Sequence, residues 1–383
     1  MHSSSAVAAS LALGLQCACA SEPSQNSDLA PSLAPAPAPA AGARAADDRA
    51  RPATLGEVVQ ELSDSIWIVY HDRNGTRWFG SDGQGVYRVD GSTIVRYTTE
   101  DGLCNDHIRQ ILEDGAGNLY FNTCGGISRF DGRRFQTLVP AAHDAPVDAW
   151  KLEPGDLWFT GRDKDNGPYR YDGNSLVQLA FPRIALEDEF FAKFGPVPYS
   201  PYCVYTIHRD RRGSIWFGTA IFGVCRYDGT SFQWILEDEL TELQGGAVAG
   251  VRGIVEDEDD RFWINSFLHR YDASPDVAAG GSAPAQWYTK ERGIVGVGEQ
   301  GEVGNPCFMG GLTDRQGVVW VATYNEGVWR YDGRQLTQYP VLEGGQPITL
   351  LSIHEDRAGV LWLGTHSTGT WRFNGQSFER FRP

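Results

Sequence analysis

From Ser65 onward, apolar and polar residues alternate in runs of four to six, and Asp/Gly-rich breaks separate the runs. Alternation over such short runs is the pattern of strands with one face buried. The segment 108–138 shows the unit most plainly. Residues 108–112 read as a strand, 113–118 as a turn, 119–123 as a second strand and 124–126 as a tight connection. Residues 127–130 and 135–138 read as the third and fourth strands, with Asp131-Gly132 as the hairpin between them. Gly supplies the positive φ that such a turn needs. Four short antiparallel strands in roughly 40 residues make one propeller blade.

The unit recurs. An aromatic or apolar residue followed by Asp-Gly appears at Val89-Asp90-Gly91, Phe130-Asp131-Gly132, Tyr171-Asp172-Gly173, Tyr227-Asp228-Gly229 and Tyr331-Asp332-Gly333. Tyr271-Asp272 and Phe373-Asn374-Gly375 are variants of it. The steps between these Asp/Asn positions are 41, 41, 56, 44, 60 and 42 residues. A second marker precedes each: Trp78, Tyr120, Trp158, Trp216, Trp263, Trp320 and Trp362. Seven ordered pairs of markers predict an all-β fold, a seven-bladed β-propeller of four-stranded antiparallel blades. The second-strand Trp offers a large apolar face to the next blade. Gly80, Gly218 and Gly364, two residues after their Trp, are expected where blades approach closely.

Two copies deviate. The third replaces the long first turn with Glu153-Pro154-Gly155-Asp156, and the fifth shortens a connection and loses the Gly after Asp272. For ring closure, each blade is expected to be one contiguous segment, running from an innermost strand at residues 65–70 to an outermost one at 377–381. Alternatively, residues 54–62 add an edge strand to the last blade.

Charge and the N-terminal region narrow the function. The 383-residue chain carries a net charge of −16. An acidic surface repels phosphate backbones, which argues against nucleic acid as a partner. No apolar run approaches membrane-spanning length. Residues 6–15 have the length of a signal-peptide core, so residues 1–20 are expected to direct export. Ala18-Cys19-Ala20 fits a small-x-small cleavage site, and lipidation at Cys17 or Cys19 is the other exit, although neither follows a good lipobox. Residues 21–53, where Pro35, Pro37 and Pro39 alternate with Ala, read as an extended linker to a propeller at 54–383. The expected location is the cell envelope as a lipoprotein, or the periplasm or exterior.

Particular strings carry a resemblance. Trp216-Phe217-Gly218-Thr219, Tyr97-Thr98-Thr99-Glu100-Asp101-Gly102-Leu103, residues 327–333 and residues 353–359 resemble the two-component-regulator propeller repeat. That resemblance implies the extracytoplasmic sensor part of hybrid histidine kinases, including sensors of carbohydrates. No kinase core or receiver follows the repeats in this sequence, so only the binding scaffold is implied, and the family has no catalytic residue to carry over.

Propeller geometry sends the interblade connections and the second-to-third-strand connections to one face. Long insertions at 181–202, 238–249 and 295–306 should stand there, while 273–284 points to the other face as a flexible loop. The segment 181–202 carries Phe190, Phe191, Phe194 and Tyr202, and reads either as part of a ligand site or as a lid helix packed on the rim. Asp82, Arg162, Tyr324, Asn325, Glu326 and His366 should crowd the same face, with His107 and Arg252 at the channel mouth. Against each stands the plainer reading of a solvated loop residue. His71, His208 and His354 share one repeated position, which points to a structural role. Asp163-Lys164-Asp165-Asn166-Gly167 lacks the downstream Glu of a calcium loop. No metal or cofactor is expected. Residues 256–260 read as a solvated acidic turn. Cys104 and Cys124 are the candidate disulfide, Cys225 reads as core, and Cys203 and Cys307 stand too far apart to bridge.

Three functions stay open. The first is a non-enzymatic binding or sensor propeller for a small molecule, carbohydrate, peptide or protein, acting as a monomer. The second is a lyase resembling streptogramin (virginiamycin B) lyase, which shares strings such as Leu157-Trp158-Phe159-Thr160 and would need His107 or His366 as base. The third is a structural surface lipoprotein.

Overall fold

The computed structural model describes residues 55–162, 164–241, 250–273, 287–297 and 306–383. The expected signal peptide, the linker and the lipidation candidates Cys17 and Cys19 lie outside them. Among the described residues seven blade sheets follow one another along the chain, with a two-stranded ribbon, Leu342–Glu343 and Gln346–Pro347, between the last two. Blade 4 is typical: Val204–Arg209, Ile215–Thr219, Val224–Tyr227 and Phe232–Ile235 pair antiparallel in that order. The innermost strands of blades 1, 2, 5, 6 and 7 are Ile66–His71, Ile108–Glu113, Ile254–Glu256, Phe308–Thr313 and Leu350–Glu355. The fold is the expected seven-bladed propeller. At the hairpin between third and fourth strands, Gly132 takes φ 89° and Asp131 Oδ1 accepts from the N–H groups of Arg133 and Arg134.

Two sheets depart from the expected pattern. Blade 1 has a fifth strand, because Glu57–Val59 pairs antiparallel with Thr93–Tyr97 at its outer edge. From the segment expected at 54–62, residues 57–59 therefore extend the first blade and not the last. Blade 3 keeps only three antiparallel strands, Leu157–Phe159, Tyr169–Tyr171 and Leu176–Leu179. Its fourth strand, Pro140–Ala145, lies at the outer edge and runs parallel to Leu176–Leu179. After Ala145 the chain stays outside: Trp150 packs edge-on against Phe217, Tyr227 and Phe232 of blade 4. Among the described residues no strand fills the innermost place of blade 3.

Blades join through the expected aromatic faces. Trp78 of blade 1 packs on Phe121 and Phe130 of blade 2, and Trp216 of blade 4 stacks on Phe262 of blade 5 at 4.1 Å. The glycine after the Trp is where backbones meet. A Cβ on Gly364 would stand 2.0 Å from the carbonyl oxygen of Trp67, and one on Gly218 would stand 2.6 Å from that of Val251. The Gly364 contact is the junction of the last blade with the first, where Ser352 Oγ also donates to Trp67 O at 2.6 Å. Among the described residues each blade is contiguous, and no sheet combines strands from the two ends of the chain.

A polar clasp locks the first turn in six of the seven blades. Asp210 Oδ1 accepts from the backbone N–H groups of Arg212 and Ser214, and its Oδ2 accepts from Trp216 Nε1 at 2.8 Å. Asp72–Trp78, Asp257–Trp263, Asp314–Trp320 and Asp356–Trp362 repeat the contact at the same six-residue spacing, and Asp114 takes the Tyr120 hydroxyl. A buried indole N–H thereby finds its partner, and the turn's N–H groups find theirs. In blade 3 the shortened turn removes this Asp. The Trp158 Nε1 is left without a partner, and Asp156 forms a buried ion pair with Arg170 instead. The acidic run 256–260 is only partly a solvated turn: Glu256 and Asp257 are buried, because Asp257 is the clasp residue.

Candidate functional site

A cavity of about 350 Å³ occupies the central channel. Its wall comes from the innermost strands of six blades and from residues 160–162 of blade 3. In blades 1, 2, 4, 6 and 7 the innermost strand carries the same irregularity. The register skips Trp67, Arg109, Tyr205, Met309 and Leu351, one residue after the buried start of each strand. All five line the cavity. A bulge adds one residue to the strand and re-aims its side chain, so a repeated backbone device presents a ring of side chains to the channel.

Blade 3 notches this ring. With its innermost strand missing, the inner edge of Leu157–Phe159 has no ladder partner. Gln110 of blade 2 serves as a substitute peptide group: its Nε2 donates to Trp158 O at 3.3 Å and its Oε1 accepts from Thr160 N at 3.2 Å. Asn122 Nδ2 donates to Thr160 O and Oγ1. The edge is thus satisfied by two side-chain amides, and the space of the missing strand joins the cavity.

The charge of the wall is unlike that of the chain. Arg109, Arg162 and Arg252 line the cavity, and among the described residues no Asp or Glu does. Arg109 lies over the Trp67 ring at 4.1 Å, and Arg252 over the Tyr205 ring at 4.5 Å. Asp82, itself expected on this face, joins the expected His107 to this group, accepting from Arg109 Nη1 at 3.0 Å and pairing with His107 Nδ1 at 2.8 Å. His366, exposed on blade 7, has its ring 6.0 Å from that of Trp67. A continuous rim therefore runs His366–Trp67–Arg109–Asp82–His107 across the junctions of blades 7, 1 and 2. Beside Arg252, burial pushes the Cys307 thiol up, the Arg252 guanidinium pulls it down and Glu326 adds to the rise.

Of the expected ligand residues, Arg162 and Arg252 line the cavity, while His107 and His366 border it through Asp82 and Trp67. Tyr324, Asn325 and Glu326 are not part of the wall. Their turn is structural: Thr323 Oγ1 accepts from Glu326 N, and Tyr324 O accepts from Leu350 N. Tyr202 is a core residue and does not line the cavity. It is 6% exposed, and its hydroxyl donates to Glu187 and accepts from Ile184 N. These bonds fasten α1, Leu186–Phe194, whose Phe190 is buried against Phe222. The insertion 181–202 is therefore a packed lid element at the rim, with Phe191 and Phe194 about one-third exposed.

The expected Cys104–Cys124 disulfide is absent, since Cys104 is a free thiol with Sγ 3.2 Å from Thr123 Oγ1. The adjacent Cys124 lines the channel. Cys225 is fully buried, as expected for a core residue. Asp163 lies outside the described residues, and its neighbour Asp165 caps Arg162 N and Nε. At the inner strands' far ends, His71 and His354 stack at 5.3 Å across the junction of blades 7 and 1. Burial holds the His354 pKa down to about 4, and lowers that of His71 as well. Insertions 242–249, 274–284 and 298–305 lie outside the described residues.

Trp67, Arg109, Gln110, Asn122 and Tyr205 were missed from sequence. The signal for three of them was the residue after the buried start of each innermost strand, masked because a bulge breaks the two-residue period.

A family model described as the two component regulator propeller matches residues 198–220, the start of blade 4. Among solved structures, the chain resembles the extracellular domain of a putative one component system from B. thetaiotaomicron, with 19% identity and a TM-score of 0.54. That match covers 85% of this chain and 40% of the other, so the chain spans about two-fifths of that ectodomain. It also resembles PorZ, a surface component of the type-IX secretion system of Porphyromonas gingivalis, with 17% identity, a TM-score of 0.56, and 82% and 47% coverage. A catalytically inactive virginiamycin B lyase from Staphylococcus aureus, solved with quinupristin, matches with 14% identity, a TM-score of 0.55, and 82% and 99% coverage. At these identities the likeness shows the fold. No curated protein matches the sequence.

Proposed function

We propose that this chain, a seven-bladed propeller carrying the two-component-regulator repeat, is an exported ligand-binding module that recognises a small molecule in its central channel. The observation that carries this reading is the cavity of about 350 Å³, lined by bulged residues from five blades and widened at blade 3. A bulge repeated solely for folding would need no particular side chain. Here the bulge positions carry Trp67, Arg109 and Tyr205, groups suited to stacking and hydrogen bonding. The volume lies at the lower end of small-molecule sites, which run from about 300 Å³ upward. The apolar residues 6–15 and the match to the extracellular domain of a putative one component system support placement outside the cytoplasm.

The test is a saccharide and peptide array probed with the full chain, followed by titration of each hit. Trp67→Ala should weaken a channel ligand by about tenfold or more while leaving the melting temperature close to that of the parent. A hit that Trp67→Ala leaves unchanged would move the site out of the channel.

The lyase reading keeps one observation in its favour, the His107–Asp82 pair at 2.8 Å, which would orient an imidazole as a base. Chemical turnover of a bound ligand, lost in His107→Ala, would replace the binding reading with this one.

A further inference from the structure

We infer that the channel ligand is a small organic anion, its carboxylate, sulfate or phosphate group held among Arg109, Arg162 and Arg252. This rests on the ligand-binding reading above. The chain carries a net charge of −16, yet among the described residues its cavity wall holds three guanidiniums and no carboxylate. For two of the three, an acidic partner stands behind the wall. Asp82 holds Arg109 at 3.0 Å and Asp165 holds Arg162 at 3.3 Å, without either lining the cavity.

The fold does not require a cation at the bulge position. At the bulge position the other blades carry Trp67, Tyr205, Met309 and Leu351, so Arg109 is one choice among neutral ones that close the same ring. The arginines that do serve the fold are elsewhere: Arg226 and Arg270 pair with the clasp residues Asp210 and Asp257. The channel arginines are also restrained before any ligand arrives. Arg109, Arg162 and Arg252 lie over the rings of Trp67, Tyr169 and Tyr205 at 4.1, 5.5 and 4.5 Å. A guanidinium already fixed loses little rotamer entropy on gripping an anion, and its planar fork suits carboxylate, sulfate and phosphate oxygens. A cleft of one sign with low-dielectric walls also concentrates the opposite ion, even when the remaining surface repels it. The volume restricts the ligand to a molecule of one or two small rings, which excludes a folded acidic partner.

The experiment is isothermal titration of the full chain with glucuronate, citrate, inorganic sulfate and inorganic phosphate. Glucose serves as the neutral counterpart of glucuronate. At least one acid should bind and glucose should not, and the order among the anions identifies the headgroup. Raising salt to about 0.3 M should weaken binding several-fold. Arg109→Gln and Arg252→Gln should each weaken it by roughly 10- to 100-fold. Arg334→Gln, which removes the same charge at an exposed hairpin, should leave affinity unchanged. If glucose binds as tightly as glucuronate and the arginine variants do not alter it, the anion inference falls and the ligand-binding reading stands. The anion inference alone also falls if the acids do not bind while array hits are lost in Trp67→Ala. Silence from both the acids and the arrays overturns inference and reading together.

Discussion

Removing the clasp carboxylate of blade 4 tests the account of how the ring is held. Asp210 and Trp216 are both buried, the indole completely. In Asp210→Ala three hydrogen bonds disappear: those from Arg212 N at 3.1 Å, Ser214 N at 2.8 Å and Trp216 Nε1 at 2.8 Å. Bonds to a charged acceptor contribute about 1.5–3 kcal/mol each at most, and the two turn amides recover part of this from water. The indole N–H does not, since it stacks on Phe262 away from solvent; a buried unsatisfied donor costs about 1–3 kcal/mol. Arg226, 3.6 Å from the same carboxylate, also loses its partner. The expected loss is on the order of 4 kcal/mol. Urea unfolding followed by circular dichroism measures it, with refolding checked for reversibility. Trp216→Phe removes the donor along with its acceptor's need, so the double variant should show a coupling of about 1–2 kcal/mol between the two sites. A loss below about 1 kcal/mol in Asp210→Ala, or no coupling, would refute the claim that the clasp fastens the turn to the blade.

Three further outcomes follow. Gly364→Ala should destabilise the ring strongly, by about 3 kcal/mol or more, because its Cβ would overlap Trp67 O at 2.0 Å and force blades 7 and 1 apart; a melting temperature within a degree or two of the parent would contradict the closure described. Gln110→Ala should cost about 1–2 kcal/mol and speed hydrogen exchange at the Thr160 amide, whose acceptor it removes. For His354, the folded pKa of about 4 lies below the ordinary value of 6.5, so the unfolded chain binds more protons between those limits. Stability is then full above pH 6.5, falls as pH drops towards 4 by roughly 3 kcal/mol and is flat for this group below that. Unfolding of the parent and His354→Phe across that window should show the slope reduced in the variant.

Blade number and most strand positions are legible in the sequence. Asp-Gly hairpins and second-strand aromatics obey local rules, since a turn needs its positive φ and a strand its buried face, whatever lies beyond. Gly80, Gly218 and Gly364 were legible for the same reason, as fixed offsets from a marker. The six-residue spacing of Asp and Trp was equally present, but its meaning is a side-chain contact across a turn, which a strand-by-strand reading passes over. Ring closure and the site were decided by tertiary structure. Whether residues 57–59 pair with blade 1 or blade 7 depends on which edge is near, and both edges are equally open to a short extended segment. Blade 3 looked like its neighbours because its markers keep their order. Only packing reveals that Trp150 is drawn outward against blade 4 and that Gln110 fills the inner edge. The cavity itself is made of single residues from separate blades, brought together by ring closure and turned inward by bulges. Strand position alone sent Arg162 to the insertion-bearing face and Arg252 to the channel mouth, but Arg109 looks like ordinary surface charge until the ring brings all three to one cavity.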